Sequence, residues 1–233
     1  MTAITADDLR VLAQWDTPTI CNALEIVAPE RRGHGFTVDP FSCLDPALPP
    51  MVGFARTVKI RAAAPDLSPG DKGMAERLPY YVYVAEGPGP TIVVVEDLDP
   101  KPGVGAFWGE VHTALHKGLG ALGVVTNGSY RDVADSAPGF QVLGGMVGPS
   151  HAFVRTVEFD CPVTVHGMEV AHGDIIHADR HGAVVVPAES VGRIADAVDL
   201  ISRKEARIIE AANADGFDIE KLKQAIHASA EIH

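Results

Sequence analysis

An acid, a guanidinium and a carboxylate frame one glycine-rich turn in this sequence. Glu110 is followed, after twenty residues, by the pair Arg131 and Asp132. Between them lie an amphipathic run at 111–119, the apolar segment Ala121-Leu122-Gly123-Val124-Val125, and then Thr126-Asn127-Gly128-Ser129-Tyr130, so the stretch is predicted to fold as loop, helix, strand, loop. Glycines 103, 105 and 109 let the backbone approach a ligand closely, and the helix after them offers unpaired amides and the positive end of its dipole to an anion. The strand returns Arg131 and Asp132 at its carboxyl end, where open α/β sheets hold ligands. A carboxylate there would meet the amides, the two-point fork of Arg131, and any cation held by Asp132, a hard oxygen ligand suited to a divalent ion that keeps several waters. The same residues also fit a helix cap beside a surface ion pair.

The elements that must position this set are legible in outline. Thr5 ahead of Asp7-Asp8 and the apolar Leu9, Val11 and Leu12 predicts a capped first helix, and a second is predicted from Thr17-Pro18 through Glu25. Residues 28–53 carry five prolines without periodicity and are predicted to form a long loop. Strands are predicted at 53–62 and 91–96 with a helix at 71–85 between them, then a short helix at 131–136 and strands at 140–147 and 152–158. From 161 to 187, short β-branched runs alternate with His-Gly turns, the pattern of stacked hairpins, and the remainder reads as helices at 189–212 and 218–230. Composition and pattern by themselves give an α/β class.

Charge and composition narrow the partners. A hydrophobic content of 46% is ordinary for a globular domain, and a formal charge of −12 disfavours nucleic acid or an acidic membrane surface. Cys21, Cys43 and Cys161 are odd in number and far apart, which suggests neither a disulfide framework nor a zinc ribbon. The first residues lack a signal-peptide pattern and no apolar run reaches membrane-spanning length, so a cytoplasmic location is expected. Ten histidines supply a rival chemistry: His112 and His116 are four apart on one predicted helix, and His177 and His181 flank Asp179, spacings that could build a zinc site or serve only as hydrogen-bonded structural groups. His112, one turn from the glycine loop, is also a candidate substrate contact, and Phe107 and Trp108 beside Gly109 are candidate pocket walls.

Gly109-Glu110 followed by Asn127-Gly128-Ser129-Tyr130-Arg131-Asp132, together with Val52-Gly53-Phe54-Ala55-Arg56-Thr57-Val58, Cys161-Pro162-Val163-Thr164-Val165-His166-Gly167 and the segment 173–187, resembles the RraA-like family from about Thr17 to Gly216. That family includes class II 4-hydroxy-4-methyl-2-oxoglutarate / 4-carboxy-4-hydroxy-2-oxoadipate aldolases and regulators of ribonuclease E. The resemblance implies a swivelling α/β/α fold across 1–233 as one domain, with N-terminal helices in 1–28, a core at 50–187 with its central sheet and hairpins, and C-terminal helices at 189–230, assembled as a homotrimer or homohexamer. It implies a metal-dependent lyase that cleaves a 4-hydroxy-2-oxo acid, or decarboxylates an oxaloacetate-type acid, through a pyruvate enolate. Arg131, Glu110 and Asp132 would be catalytic; Gly109, Glu110, Val111, His112 and Arg131 would bind the 2-oxo acid. Asp132 would hold Mg²⁺ or Mn²⁺, and Glu110 and a neighbouring subunit's Glu205 are the candidates to reach the ion through water. An acid at 110 favours the enzyme over the alternative, a non-catalytic protein-binding regulator of a ribonuclease. A methyltransferase ranks last, because no glycine-rich nucleotide fingerprint follows an early strand. Asn127 departs from the family pattern, where Asp often precedes the glycine.

Overall fold

The computed structural model describes residues 4–66 and 74–232. Two capped helices open the chain. Thr5 and Asp8 exchange hydrogen bonds, Thr5 Oγ1 accepting from the Asp8 amide at 3.2 Å and Asp8 Oδ2 from the Thr5 amide at 2.8 Å, which starts α1 (Ala6–Leu12). Asp16 caps α2 (Thr17–Val27), with Pro18 in its first turn.

The long loop predicted next is only partly irregular. It contains a 3₁₀ turn at Pro29–Arg31, a bridge from Phe36 to Val184, and a two-residue strand, β1 (Ser42–Cys43). These pairings depend on distant partners, which is why local composition does not show them. The chain then forms β2 (Met51–Arg61), α3 (Met74–Ala85), β3 (Thr91–Asp97), β4 (Ala106–Trp108), α4 (Glu110–Gly118), β5 (Ala121–Thr126), β6 (Ser129–Tyr130), β7 (Gln141–Gly144) and β8 (Met146–Val147). After these come β9 (Arg155–Phe159), the hairpin of β10 (Val163–Val165) with β11 (Met168–Val170), the hairpin of β12 (Ile175–Asp179) with β13 (Gly182–Val186), and the helices α5 (Val191–Ala212) and α6 (Ile219–Ala230). Residues 71–73 of the predicted helix 71–85 lie outside the described residues.

The main sheet has the order β1-β7-β5-β3-β2-β12-β13, with β2, β3, β5 and β7 mutually parallel at its centre. The eleven residues of β2 serve two partners on one side: β12 along 51–54 and β9 along 58–61. Alternation divides the core. Ile92, Val94, Val125 and Ile176 meet the β10–β11 hairpin, whereas Val93, Val95, Val124 and Val142 meet α3 and the aromatic groups around Trp108. Val52, Phe54 and Ile175 are covered by α1, α2 and α5. The mixed α/β architecture, its hairpins and its C-terminal helices match the expected class. Among the described residues no helix is long and apolar enough to cross a membrane.

Three local expectations are corrected. The segment 131–136 is a turn and not a helix, because Asp132 takes the left-handed conformation (φ 53°) and its carbonyl accepts from the Asp135 and Ser136 amides at 3.0 and 2.9 Å. The strand predicted at 140–147 splits at Gly145, whose amide bonds the Gly128 carbonyl at 2.8 Å, so β7 stays in the main sheet and β8 joins a small sheet with β4 and β6. The glycine loop is likewise interrupted by β4, which pairs with β6.

Candidate active site

The Arg131–Asp132 pair is held by the small sheet. The Arg131 amide donates to the Trp108 carbonyl at 2.9 Å, so the end of β6 and the end of β4 are clamped side by side. The left-handed turn at Asp132 then aims its carboxylate back at the start of α4. Asp132 Oδ2 accepts from the Glu110 amide at 3.2 Å and lies 3.6 Å from Arg131 Nε. A carboxylate from another loop therefore caps α4, whose own cap residue, Gly109, has no side chain to do so. The cap and ion pair that the sequence allowed are both present, and among the described residues Asp132 Oδ1 accepts no hydrogen bond.

Gly109 is required for reasons of space. Its backbone is extended, so any residue could adopt its angles, but a Cβ there would stand 2.5 Å from Asp132 Oδ2 and 3.2 Å from Arg131 Cγ. Gly109→Ala is expected to preserve the fold and lower activity about tenfold or more, since the carboxylate must leave the Glu110 amide to make room. Circular dichroism with a turnover assay checks this, and wild-type turnover in the variant would refute it.

The first turn of α4 leaves two more amides, those of Val111 and His112, without a partner among the described residues. With Arg131 they form an anion-binding corner at one end of a cavity of about 920 Å³, lined there by Gly109, Val111, His112, Arg131 and Asp132. The other two glycines do not face this corner. The Gly103 amide is taken by Asp97 Oδ2 at 2.8 Å, and Gly105 is packed against Ala62 and the His151 carbonyl. Glu110 is exposed in the first turn of α4, and its side chain is not part of the cavity lining. Glu205 is exposed on α5, whose main neighbours are α1, α2 and α6; within one chain it does not reach this cavity.

The histidine pairs are structural in their hydrogen bonding. His116 is fully buried: its Nδ1 donates to the His112 carbonyl at 2.7 Å, which leaves Nε2 to accept from Tyr80 Oη at 2.7 Å. Burial pushes it down to about 4, and burial together with the Arg77 charge does the same for His112. His177 sits between Thr17 Oγ1 and the Trp15 carbonyl, both at 3.0 Å, while Asp179 binds the Thr17 amide and the His181 ring, so this set anchors the start of α2. Among the described residues no group of three His, Cys, Asp or Glu side chains could hold a metal ion. The three cysteines are free, as expected. The donor set at the corner is one carboxylate with open access. That suits Mg²⁺ or Mn²⁺, which bind through one or two carboxylates, substrate oxygens and water, and does not suit a metal needing an all-protein cage.

Sequence reasoning missed two features. The far wall of the cavity comes from α3 (Arg77, Tyr80, Tyr81) and from His151 through Phe159. The closely spaced tyrosines at 80, 81 and 83 were the available signal for the first, and no motif marks the second. Asn127 has a defined structural role. It pairs with the backbone of Asp97, Oδ1 accepting from the amide at 2.7 Å and Nδ2 donating to the carbonyl at 3.2 Å, a two-way bond that a carboxylate could not make.

Fold and site together describe an α/β protein that presents a helix start, a guanidinium and a carboxylate to one cavity. The chain belongs to the RraA-like family: the family model described as Aldolase/RraA matches residues 17–185. An uncharacterized protein of Methanocaldococcus jannaschii is 35% identical over 107 residues, covering 45% of this chain and 51% of that protein. Protein DlpA of Legionella pneumophila is 29% identical over 123 residues, covering 50% of this chain and 19% of that protein. The matched stretch thus spans less than two thirds of either relative. RraAS2 of Streptomyces coelicolor, described as an unusual member of the RNase ES inhibitor RraA protein family, shares the fold with a TM-score of 0.67 at 22% identity, over 88% of this chain and 96% of that one.

Proposed function

We propose that this protein is a divalent-metal-dependent lyase of 2-oxo acids, cleaving a 4-hydroxy-2-oxo acid by a retro-aldol step or decarboxylating an oxaloacetate-type acid. The family takes in both aldolases and RNase inhibitors, so membership alone does not choose between them. The observation that carries the reading is the corner itself, where open amides of α4, Arg131 and the Asp132 carboxylate meet at one end of a cavity. A binding module that acts only through protein contacts gives no reason for this convergence, although its acidic surface would suit a basic partner.

In this scheme the Val111 and His112 amides hold the substrate carboxylate at the helix start. A water at the rim takes the proton of the 4-hydroxyl as the bond between carbons 3 and 4 breaks and the distal half leaves as a carbonyl compound (or as carbon dioxide from a β-oxo acid); Arg131, beside the ketone oxygen, stabilises the charge on the pyruvate enolate until carbon 3 regains a proton from water. Mg²⁺ or Mn²⁺ held by Asp132 would supply Lewis-acid polarisation of that oxygen. Glu110 orients a water at the rim, and Glu205 of a neighbouring copy in a trimer or hexamer is the second acid. In this scheme residues 1–233 act as one functional domain.

The direct test is release of pyruvate or carbon dioxide from a panel of 4-hydroxy-2-oxo acids and β-oxo acids with Mg²⁺, repeated after exhaustive chelation. Activity is expected to fall at least about 10²-fold on metal removal and to return when the ion is restored. Turnover that survives chelation would contradict the scheme. Capture of a ribonuclease by a chain with no turnover on any substrate would favour the regulator.

A further inference from the structure

A second, smaller cavity of about 140 Å³ lies between α2, the loop that follows it and β13, and it shares no lining residue with the first. Its walls are of two kinds. Leu24, Phe36, Val184 and the Cys21 thiol make an apolar side, while Glu25, Arg31, Arg32 and His34 supply polar groups. Burial, with the Asp179 and Glu25 charges, pushes the thiol up to about 11, so Cys21 is neutral at physiological pH and belongs with the apolar side. The size lies between the ~30 Å³ share of one water and the ~300 Å³ at which drug-sized pockets begin, which is room for a compact ligand.

One charge on this lining has no counter-charge among the described residues. Glu25 Oε2 pairs with Arg32 Nε at 3.0 Å, and Asp179, the other acid felt at Cys21, is occupied by the Thr17 amide and the His181 ring. Arg31 pairs with no acid. Its guanidinium makes one long hydrogen bond, from Nη2 to the Val185 carbonyl at 3.4 Å; Nε is enclosed without a partner, and Nη1, which is not enclosed, has none either among the described residues. The group is nonetheless held in place. Nη2 lies so close over Gly35 that a Cβ there would overlap it, and Gly35 (φ 86°) is itself fixed by its carbonyl, which accepts from the Val185 amide at 2.8 Å. A half-buried guanidinium that lacks both hydrogen bonds and a counter-charge carries a desolvation cost, which an anion at Nη1 would offset.

We propose that this cavity is a second binding site, for a short aliphatic monocarboxylate whose carboxylate meets Arg31 and whose chain lies against Leu24, Phe36 and Val184. One uncompensated guanidinium matches one carboxylate, and the Glu25 carboxylate on the same lining would repel a second negative charge. The apolar side gains by covering a chain of a few methylenes and offers nothing to an ion that is charged all round, such as phosphate. The site is independent of the Arg131–Asp132 corner and of the lyase reading.

Titration calorimetry tests it on the full chain carrying Arg131→Ala, without Mg²⁺, so that the corner does not compete for carboxylates. Butyrate is expected to bind once per chain and about tenfold more tightly than acetate, because its longer chain leaves water. Inorganic phosphate and n-butylammonium should each bind at least about tenfold more weakly than butyrate. Arg31→Gln should weaken butyrate at least about tenfold. His34→Glu brings a rival carboxylate into the lining at an exposed position and should weaken butyrate on the same scale while the chain stays folded by circular dichroism, so it decides the matter if Arg31→Gln disturbs the loop. Absence of saturable butyrate binding overturns the inference, and so does binding that neither substitution moves. Phosphate binding as tightly as butyrate would reduce the cavity to a general anion patch, and butylammonium binding as tightly would reduce it to apolar adsorption; either result also overturns the proposal.

Discussion

Arg131→Ala is expected to lower kcat/KM for pyruvate release by about 10²-fold or more, with little change in the unfolding midpoint. The two effects separate because the side chain contributes little to the fold. It is 38% exposed and its nearest acid, Asp132, lies at 3.6 Å, an arrangement that contributes about 0–1 kcal/mol. Its backbone bond to Trp108 survives the substitution. Catalysis, by contrast, needs a donor where charge develops, and removing one such donor costs about 2.7–4 kcal/mol of transition-state stabilisation. Arg131→Lys keeps the charge but loses the planar fork and should fall between the two.

Asp132 needs a different substitution, because Asp132→Ala would disturb a left-handed turn and a helix cap at once. Asp132→Asn keeps a residue type that tolerates positive φ and an oxygen for the Glu110 amide, and removes only the charge. Turnover is expected to drop on the same scale as for Arg131→Ala. Wild-type turnover in both Arg131→Ala and Asp132→Asn would reduce the pair to a cap and an ion pair and eliminate the site assignment.

The corner was legible because its parts lie on elements with clear periodicity. An amphipathic run after Gly109 and an apolar run before Asn127 are enough to place Val111, His112, Arg131 and Asp132 at adjoining ends of a helix and a strand. The conformation of Asp132 was not legible: segment 131–136 carries no glycine, and one left-handed residue converts the predicted helix into a turn. The roles of Gly103 and Gly105 were misread for a related reason. A glycine signals close approach of something to the backbone, and here the approaching groups are protein, the Asp97 carboxylate and the Ala62–His151 packing. The aromatic wall was out of reach, since Tyr80 and Tyr81 come from α3, some thirty residues ahead of α4, and meet His112 and His116 only through tertiary packing. In the same way, β2 read as one strand, but its division between β12 and β9 depends on pairing partners far along the chain.

Acidification from about pH 6.5 to about pH 4 is expected to destabilise the protein, and His116, held down as far as His112, is one of the two largest identifiable contributors. Its ring is fully buried with both nitrogens engaged; a second proton on Nε2 would oppose the Tyr80 hydroxyl that donates to it and place a charge in a site closed to water. Burial holds this imidazole at about 4 in the fold against about 6.5 in the unfolded chain. Between those values the unfolded state binds the proton and the native state does not, so stability is fully present above about pH 6.5 and is lost as the pH falls toward 4. The displacement corresponds to up to about 3 kcal/mol. His112, His166 and His177 are depressed by burial and act in the same direction, whereas buried Asp97, raised by desolvation, opposes them at the acid end. Urea unfolding at pH 7.5, 6.0 and 4.5 should show a falling midpoint, and His116→Gln should flatten part of that slope. A midpoint that is constant or rises on acidification would mean that His116 is not held neutral by its buried hydrogen bonds. The same network supports the back of His112, whose carbonyl accepts from His116 Nδ1 and whose ring lies 5.8 Å from the His116 ring.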